Sequence, residues 1–404
     1  MDFLALHIRR NPKLIQIAAE FHQLGLIKAN TTVIDLDTLT DNARLMKKEA
    51  DRLGLENYFM TKQFGRNPLV CRAIMKAGFK SAVAVDMEDA RCLHRNDIPV
   101  GHVGHLVQVP KHEIGYILRE VKPEIITVFS IAKAQEIDQE ARRLGVTQKI
   151  LVRVVGQGDF FYPFQEGGIL ESDISETTRT LANLKNVHVV GLTSFPCFRF
   201  NIQSRKDEPT PNLSTLQRVA SRLRNEFNLN IEQINTPGDT STTLFQTLAD
   251  MGATHGEPGH GFTGTTPGHA FDDLPELPAW VYVSEVSHIF GSKAYAYGGG
   301  LMGADAPLGF WTPMYHRHYM YALVGDDPDT ILHQQILAEP AGFIDYYGSL
   351  VLGQGDKVAV GNTVIYGFRN QVFASRANIA VIEGIHNGVP RLSGAYDRMG
   401  NLLP

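Results

Sequence analysis

The sequence is poor in cysteine, and it lacks long apolar runs and a large excess of either charge. Its three cysteines, Cys71, Cys92 and Cys197, lie far apart and are odd in number, so they predict neither a disulfide framework nor a paired-cysteine zinc site. A reducing compartment is the simplest interpretation, and we expect a cytoplasmic protein. No apolar run approaches the roughly 18–20 residues that a membrane span needs. The net charge of −5 gives no basic surface for nucleic acid or an anionic membrane.

The composition is that of an ordinary globular protein, and apolar segments alternate regularly with amphipathic segments. Hydrophobic residues make up 43% of the 404, which is enough for a sizeable core and two or three domains. Amphipathic segments separate a series of apolar, β-branched runs, at residues 32–36, 58–61, 81–85, 100–106, 125–129, 150–155, 187–193, 231–235 and 253–257. Strands alternating with helices indicate βαβ units around a parallel sheet. Without the first run there are eight, the number that closes a (β/α)₈ barrel of the TIM type.

The composition changes after about residue 275. The remainder is rich in Gly, Tyr and Val with an alternation of period two, which predicts an antiparallel β domain. The acidic, proline-rich segment at residues 272–278 marks the boundary. We therefore predict a short N-terminal helical extension (1–30), a barrel (31–275) and a C-terminal β domain (276–404). The extension is expected to pack on the β domain or on a partner subunit.

Lys62 lies at the end of the first predicted barrel strand. Strand parity places Tyr58, Met60 and Lys62 on one face, and catalytic side chains of such barrels lie at the carboxyl ends of the strands. A desolvated lysine there has a lowered pKa and is an amine nucleophile for a carbonyl cofactor. The alternative is a lysine paired with a carboxylate of the barrel.

Two loops rich in glycine and hydroxyl residues follow the last two barrel strands, at residues 235–243 and 255–267. Backbone N–H groups at a helix N-terminus bind anions, and phosphate sites of these barrels lie after strands seven and eight. The alternative for the first loop is an ordinary helix cap. The coincidence of both loops with Lys62 favours a phosphorylated carbonyl cofactor.

Together these features resemble the pyridoxal-phosphate enzymes with an alanine-racemase-type barrel (fold type III). The similar features are VIDLDTLTDNARLM (residues 33–46), Lys62, the loop at 236–242 and the GEPG turn (256–259). That group includes racemases, D-threonine aldolases, D-serine dehydratases and decarboxylases. Within it the chain most resembles an uncharacterised amino-acid racemase branch related to ornithine racemase.

The resemblance implies pyridoxal 5′-phosphate as the cofactor and Lys62 as its Schiff-base lysine and acid–base catalyst. It also implies a set of cofactor-binding residues in the two loops, namely Asn235, Thr236, Gly238, Asp239, Thr240, Ser241, Thr242, Gly259, His260 and Gly261.

Three further positions bear on the cofactor ring. Glu257 matches the glutamate that pairs with the pyridine nitrogen in decarboxylases of this group, where alanine racemases have arginine; a carboxylate makes the ring a stronger electron sink. The alternative is that Glu257 forms a structural ion pair with Arg153. If it does not, we expect Arg153 to lie near the cofactor. Ser194 stands where racemases often have a histidine beside the ring. His102 and His105 are expected to line the barrel.

A racemase needs a second base on the opposite face, which alanine racemase takes from the other subunit's β domain. By this resemblance Tyr295 or Tyr297 supplies it, with Tyr396 a weaker candidate, and the protein is a homodimer. We predict no metal, since the C-terminal histidine signature of the metal-dependent members is missing. His316 and His318 form the tightest histidine pair, in an aromatic segment that indicates packing.

The leading hypothesis is therefore a pyridoxal-phosphate-dependent racemase or epimerase that removes and returns the α-proton of an amino acid. Glu257 keeps a decarboxylase or a carbon–carbon lyase open as an alternative. A non-catalytic pyridoxal-phosphate protein is a third possibility. A barrel enzyme with a phosphorylated substrate is the fourth, because phosphate loops do not name their ligand.

Overall fold

The computed structural model describes residues 3–301, 320–339, 344–369 and 371–404. The strands of these residues, in chain order, are β1 (Thr31–Asp35), β2 (Glu56–Asn57), β3 (Phe59–Met60), β4 (Ala82–Ala84), β5 (Val100–Val103), β6 (Ile125–Val128), β7 (Gln148–Val155), β8 (Ile169–Leu170), β9 (Val187–Thr193), β10 (Phe198–Asn201), β11 (Lys206–Pro209), β12 (Gln233–Asn235), β13 (His255–Gly256), β14 (Trp280–Phe290), β15 (Lys293–Tyr297), β16 (Met320–Gly325), β17 (Gln335–Glu339), β18 (Tyr347–Val351), β19 (Thr363–Tyr366), β20 (Asn378–Glu383) and β21 (Arg391–Tyr396).

The α-helices are α1 (Phe3–Arg10), α2 (Pro12–Gln23), α3 (Leu36–Arg52), α4 (Pro68–Lys76), α5 (Met87–Arg95), α6 (Ile114–Tyr116), α7 (Ile131–Leu144), α8 (Ile174–Leu181), α9 (Pro211–Phe227), α10 (Thr242–Asp250) and α11 (His260–Thr263). A π-helical turn follows α6 (Ile117–Val121), and the 3₁₀ turns are Lys62–Phe64, Lys111–Glu113, Glu171–Asp173, Pro267–Ala270, Ile331–His333 and Val372–Ala374.

Side-chain caps and glycine fix the helix ends between the strands. Asp86 is the N-cap of α5, and its carboxylate accepts from Asp89 N; Ser130 is the N-cap of α7, and its hydroxyl accepts from Lys133 N. Gly145 is the C-cap of α7, with a φ of 69°, a left-handed conformation that costs a glycine little.

The chain packs as two compact units built from interleaved stretches of sequence. Residues 46–60 and 74–259 form the unit that we call the barrel unit. Residues 1–45, 61–73 and 260–404 belong to the other, the sheet unit.

The parallel sheet of the barrel unit closes on itself. Its nine segments run in the order β2-β13-β12-β9-β7-β6-β5-β4-β3, with β8 paired to β7 outside this path. Only Tyr58 separates β2 from β3, so the two ends of the path are one interrupted strand and the nine segments fill eight positions. Tyr58 N donates to Gly256 O on one side, and Phe59 N donates to Ser81 O on the other.

Apolar side chains fill the middle of the barrel. Tyr58, Met60, Val83 and Leu151 belong to one buried cluster. Gly101 on β5 makes room for this cluster, because a Cβ there would lie 2.2 Å from the Tyr58 ring. The middle of the barrel interior is thus a packed core.

The sheet unit holds a second, antiparallel barrel. Strands β14, β15, β18, β17, β16 and β19 form a closed ring, because β14 pairs with both β15 and β19. Strands β1, β20 and β21 extend the sheet beyond β14, with β1 parallel to β20 and antiparallel to β14. Helix α2 packs on this sheet through a core that includes Leu14, Ile15, Val281 and Ile365.

The predicted barrel, the antiparallel β domain and the N-terminal helices packed on it are confirmed. The structure differs from the prediction at β1, which falls inside residues 31–275 but pairs in the sheet unit. Helix α3 begins at Leu36, directly after β1, where the Asp35 carboxylate accepts from Thr38 N. The predicted domain boundaries stay predictions. No helix among the described residues is both long and apolar enough to cross a membrane.

Candidate active site

Glu257 is a buried carboxylate at the carboxyl end of the last barrel strand. It follows β13 directly, and its side chain is 1% exposed. The Oε1 atom lies 2.6 Å from His102 Nδ1 and accepts from Asn235 Nδ2 at 2.9 Å. The sequence alternative, in which Arg153 holds this glutamate, is therefore replaced by a pair with His102 and Asn235.

His102 connects Glu257 to a hydroxyl on the next strand. Its Nε2 lies 2.6 Å from Thr127 Oγ1. The proton on Nδ1 lets the ring donate to the Glu257 carboxylate. The His105 Nε2 atom lies 3.5 Å from Glu257 Oε2. Two histidine side chains therefore contact the Glu257 carboxylate, and all three side chains are buried.

The surroundings keep Glu257 ionised. Burial alone raises its pKa, but the charges of His105 and His102 and the hydrogen bonds from His102 and Asn235 outweigh burial and hold the pKa at about 2. The Oε2 atom has no hydrogen-bond partner among the described residues. An ionised oxygen with unused acceptor capacity is suited to a ligand that presents a positively charged N–H group.

His102, His105 and Glu257 also have the atoms to bind a metal ion. Among the described residues they are the one group with three metal-ligating atoms within 4.8 Å of one another. The 2.6 Å between His102 and Glu257 is a hydrogen-bond distance, whereas two ligands of one zinc ion lie about 3.3 Å apart. His316 and His318 lie outside the described residues. The absence of a metal stays a prediction.

The loop after β12 has the geometry of an anion cradle. Gly238 has a φ of 144°, and a Cβ there would lie 2.8 Å from Phe198 O, so only glycine fits. Ser241 is the N-cap of α10, yet its side chain makes no capping hydrogen bond. The backbone N–H groups of the first turn are thus not capped by this hydroxyl, and the helix dipole favours an anion there.

The register of the parallel strands places Arg153 at the same height in the barrel as Asn235. Arg153 pairs with Thr193, and Thr193 pairs with Asn235, across β7, β9 and β12. Neighbours in register on a parallel sheet share a face, so their side chains emerge at one height. Ser194 lies behind this layer, where its hydroxyl donates to Val154 O.

The remaining predicted loop residues of the barrel unit lie beside this turn. Thr236, Thr240 and Ser241 are buried, and Asp239 has a positive φ of 38°. Thr242 is the first residue of α10. Gly259 is the last residue of the barrel unit and lies two residues after Glu257.

Lys62 belongs to the sheet unit, two residues beyond β3. It begins a 3₁₀ turn and does not end the strand as predicted. Strand alternation therefore does not fix the direction of its side chain. Its side chain is half-buried, and Nζ lies 6.0 Å from the centroid of the Phe373 ring. Burial and the positive charges of Arg369 and Lys62 lower the pKa of His260 well below its usual value. Gly261 is buried beside it in α11.

Tyr295 and Tyr297 lie on the outward face of β15. The Tyr295 ring stacks on His288 with centroids 4.7 Å apart, and Tyr297 is 40% exposed beside Tyr347. Exposed aromatic side chains on one sheet face are typical of a surface that receives another chain.

Thr127 is the residue of this site that the sequence did not indicate. It stands in an apolar run with no flanking motif, and its role depends on β5 lying beside β6. A polar residue within an otherwise apolar barrel strand is the signal that points to such a position.

Comparison with known proteins is consistent with this geometry. The model of the alanine racemase N-terminal domain matches residues 34–267, and that of the YhfX-like C-terminal domain matches residues 281–392. The uncharacterised protein YhfX of Escherichia coli (strain K12) is 37% identical over 398 residues, which cover 98% of each chain.

Solved structures share the fold at low identity. D-threonine aldolase from Filomicrobium marinum is 12% identical with a TM-score of 0.66, over 92% of this chain and 95% of that one. Alanine racemase from Clostridium difficile 630, in complex with cycloserine, is 16% identical with a TM-score of 0.64, over 92% and 99%. D-threo-3-hydroxyaspartate dehydratase from Delftia sp. HT23 is 14% identical with a TM-score of 0.64, over 92% and 97%.

Proposed function

Because the chain belongs to the alanine racemase N-terminal domain family, we propose that it binds pyridoxal 5′-phosphate and acts as an amino-acid racemase or epimerase. We also propose that it is related to the amino-acid racemases that include ornithine racemase, on the strength of residues 33–46. Racemases, aldolases and dehydratases share this fold, so the reaction depends on the residues of this site.

The residues present fit the cofactor. Lys62 offers an amine, the turn at residues 238–242 offers backbone N–H groups at a helix start, and Glu257 offers an ionised oxygen with no hydrogen-bond partner among the described residues. The Glu257 carboxylate is the observation that carries the cofactor part of the proposal, because a buried carboxylate with a pKa of about 2 keeps a pyridine nitrogen protonated; the racemase part is supported by the family. When bound, the cofactor withdraws electrons from the bonds at the substrate's α-carbon.

Each residue then has a separate task. The loop at residues 236–242 would hold the phosphate, and Glu257 would hold a proton at the pyridine nitrogen. Lys62 Nζ would hold the cofactor at its carbonyl carbon and would move the α-proton on one face. Tyr297 or Tyr295 of a second copy moves the proton on the other face, so we also propose a homodimer.

Glu257 supports a decarboxylase or a lyase as the second candidate, since both reactions gain from a strongly electron-withdrawing ring. We also propose that the barrel spans residues 31–275, that the β domain spans residues 276–404, and that the protein is cytoplasmic.

The test is exchange of the α-hydrogen in deuterium oxide. The purified chain, loaded with pyridoxal phosphate, is incubated with both enantiomers of a panel of amino acids. We expect one or more to gain deuterium at the α-carbon and to lose optical purity, and Lys62→Ala to abolish both. Release of carbon dioxide or of an aldehyde in place of racemisation supports the second candidate. No exchange with any amino acid refutes the proposed racemase.

A further inference from the structure

A hydrogen-bonded chain of three buried side chains crosses the barrel interior and ends at Glu257. Thr127 Oγ1 lies 2.6 Å from His102 Nε2, and His102 Nδ1 lies 2.6 Å from Glu257 Oε1. Thr127 and His102 both have an exposed fraction of 0%. Strand β5, which carries His102, is not a neighbour of β13 in the sheet, so the chain spans the interior and does not follow a single pair of strands.

Strand alternation and a tight loop place Thr127 at the far end of this chain. Ile125 belongs to the barrel core, so Thr127, two residues later on β6, also points into the interior. After β5, Gln108 Nε2 donates to Gly104 O at 2.7 Å and to Thr127 O at 2.9 Å. A Cβ on Gly104, which has a φ of 85°, would lie 2.7 Å from Thr127 O. The backbone of Thr127 is thus fixed against the loop after β5, and this approach requires glycine.

The chain makes the two oxygens of Glu257 different from one another. Oε1 accepts from Asn235 Nδ2 at 2.9 Å and faces His102 Nδ1 at 2.6 Å. Oε2 has no hydrogen-bond partner among the described residues, and its distance of 3.5 Å to His105 Nε2 is longer than an ordinary hydrogen bond. Because Oε1 is held from two directions, the carboxylate presents one acceptor oxygen in a fixed position.

Core packing alone does not explain a buried threonine and histidine in this layer. Burial of polar groups costs free energy unless they are hydrogen-bonded, and apolar side chains fill the neighbouring core. Both ring nitrogens of His102 are used within the chain, and a fully paired network of this kind fixes one arrangement of its members. Of the three side chains, Glu257 Oε2 is the one polar atom without a partner among the described residues.

We propose that His102 and Thr127 are positioning residues that hold Glu257 Oε2 for the ring nitrogen of the cofactor, so that the site selects a ring with an N–H group over a ring of the same shape without one. The inference rests on the proposed function and deepens it, because it extends the task of Glu257 to two further strands. Thr127 fixes the His102 ring, and His102 fixes Oε1. Oε2 is then kept in one place for a charge-assisted hydrogen bond.

The experiment compares two rings of the same shape. Equilibrium dialysis measures the dissociation constants of the cofactor-free protein for pyridoxal phosphate and for its 1-deaza analogue, in which a C–H group replaces the ring nitrogen. The natural protein is expected to bind pyridoxal phosphate about tenfold or more tightly, the scale of a charge-assisted hydrogen bond in a buried site, and Glu257→Gln is expected to remove this preference. The readout is the ratio of the two constants, because a loss of packing weakens both rings alike and leaves the ratio unchanged.

Substitutions along the chain then test the positioning role. Thr127→Val keeps the shape of the side chain without the hydroxyl and is expected to lower the ratio about threefold. His102→Leu removes both hydrogen bonds of the ring and is expected to lower the ratio further, whereas His102→Asn keeps an N–H donor and is expected to recover part of it. Thr147→Val and His188→Asn change exposed side chains of the same unit and are expected to leave the ratio unchanged.

The outcomes separate this inference from the proposed function. A ratio that Glu257→Gln abolishes but that Thr127→Val and both His102 variants leave unchanged overturns the inference, and the proposed function stands. Equal binding of the two rings by the natural protein overturns the inference as well, because Oε2 then does not receive the ring nitrogen. A protein that binds neither ring refutes the proposed function and the inference together. If His102→Leu does not fold, Thr127→Val and His102→Asn decide the result.

Discussion

Replacement of Glu257 by glutamine makes the clearest prediction about the barrel interior. Glutamine imitates the protonated carboxylic acid, so the substitution costs what protonation costs. The drop of the Glu257 pKa from its usual 4.5 to about 2 corresponds to about 3 kcal/mol, since a tenfold change in proton affinity equals about 1.4 kcal/mol. We expect Glu257→Gln to lower the free energy of unfolding by this amount at neutral pH.

The dependence on pH follows from the sign. A carboxyl group whose folded pKa is depressed stabilises the fold above its unfolded pKa, and this stabilisation is lost as the pH falls through the folded pKa. The difference between natural protein and Glu257→Gln is therefore full above pH 4.5 and shrinks towards pH 2.

Urea unfolding followed by circular dichroism at a series of pH values measures this difference. Glu232→Gln, which removes an exposed carboxylate 3.2 Å from Lys149, is the matched control and is expected to change little. A difference that is absent at neutral pH, or that stays constant down to pH 2, refutes the ionised, histidine-held Glu257.

Three further predictions concern single residues. Burial lowers the pKa of His255 to about 4 from its usual 6.5, so the stability that the neutral ring contributes is lost as the pH falls from 6.5 to 4. His255→Phe is expected to remove this loss, which is about 2–3 kcal/mol in the free energy of unfolding measured with urea over that range. Gly238→Ala places a Cβ 2.8 Å from a backbone oxygen and is expected to weaken pyridoxal-phosphate binding about tenfold, whereas Gly252→Ala, which meets nothing within 4 Å, is expected to leave the titration unchanged. Tyr297→Phe is expected to slow racemisation about 100-fold with cofactor absorbance unchanged, while Tyr295→Phe, whose ring stacks within its own subunit, retains activity; the reverse order assigns the second base to Tyr295.

The barrel was predictable because its strands are buried on both faces. Such strands appear as continuous apolar runs separated by amphipathic helices, and every run from residue 58 to residue 257 contains a strand of the barrel unit. The first run has the same character but pairs with β14 and β20. Local sequence does not encode the partner of a strand, so the run gave no sign that it joins a sheet more than 240 residues away in the chain.

The candidate site was predictable where one segment carries the chemistry. The loop at residues 236–242 stands out because glycine and hydroxyl residues before a helix start are a local pattern, and Glu257 was indicated by the resemblance of the GEPG turn to the family. The link from Glu257 through His102 to Thr127 was not predictable, since it needs the register of β5 and β6.

The most direct test of the account is where pyridoxal phosphate binds. The purified protein is mixed with pyridoxal phosphate, its visible absorbance is recorded, and it is reduced with borohydride and digested for peptide mapping. We predict a visible absorbance band and a pyridoxyl mass on Lys62, with both absent in Lys62→Ala. A protein that gives no band and no adduct, or an adduct on another lysine with Lys62→Ala unaffected, contradicts the central claim.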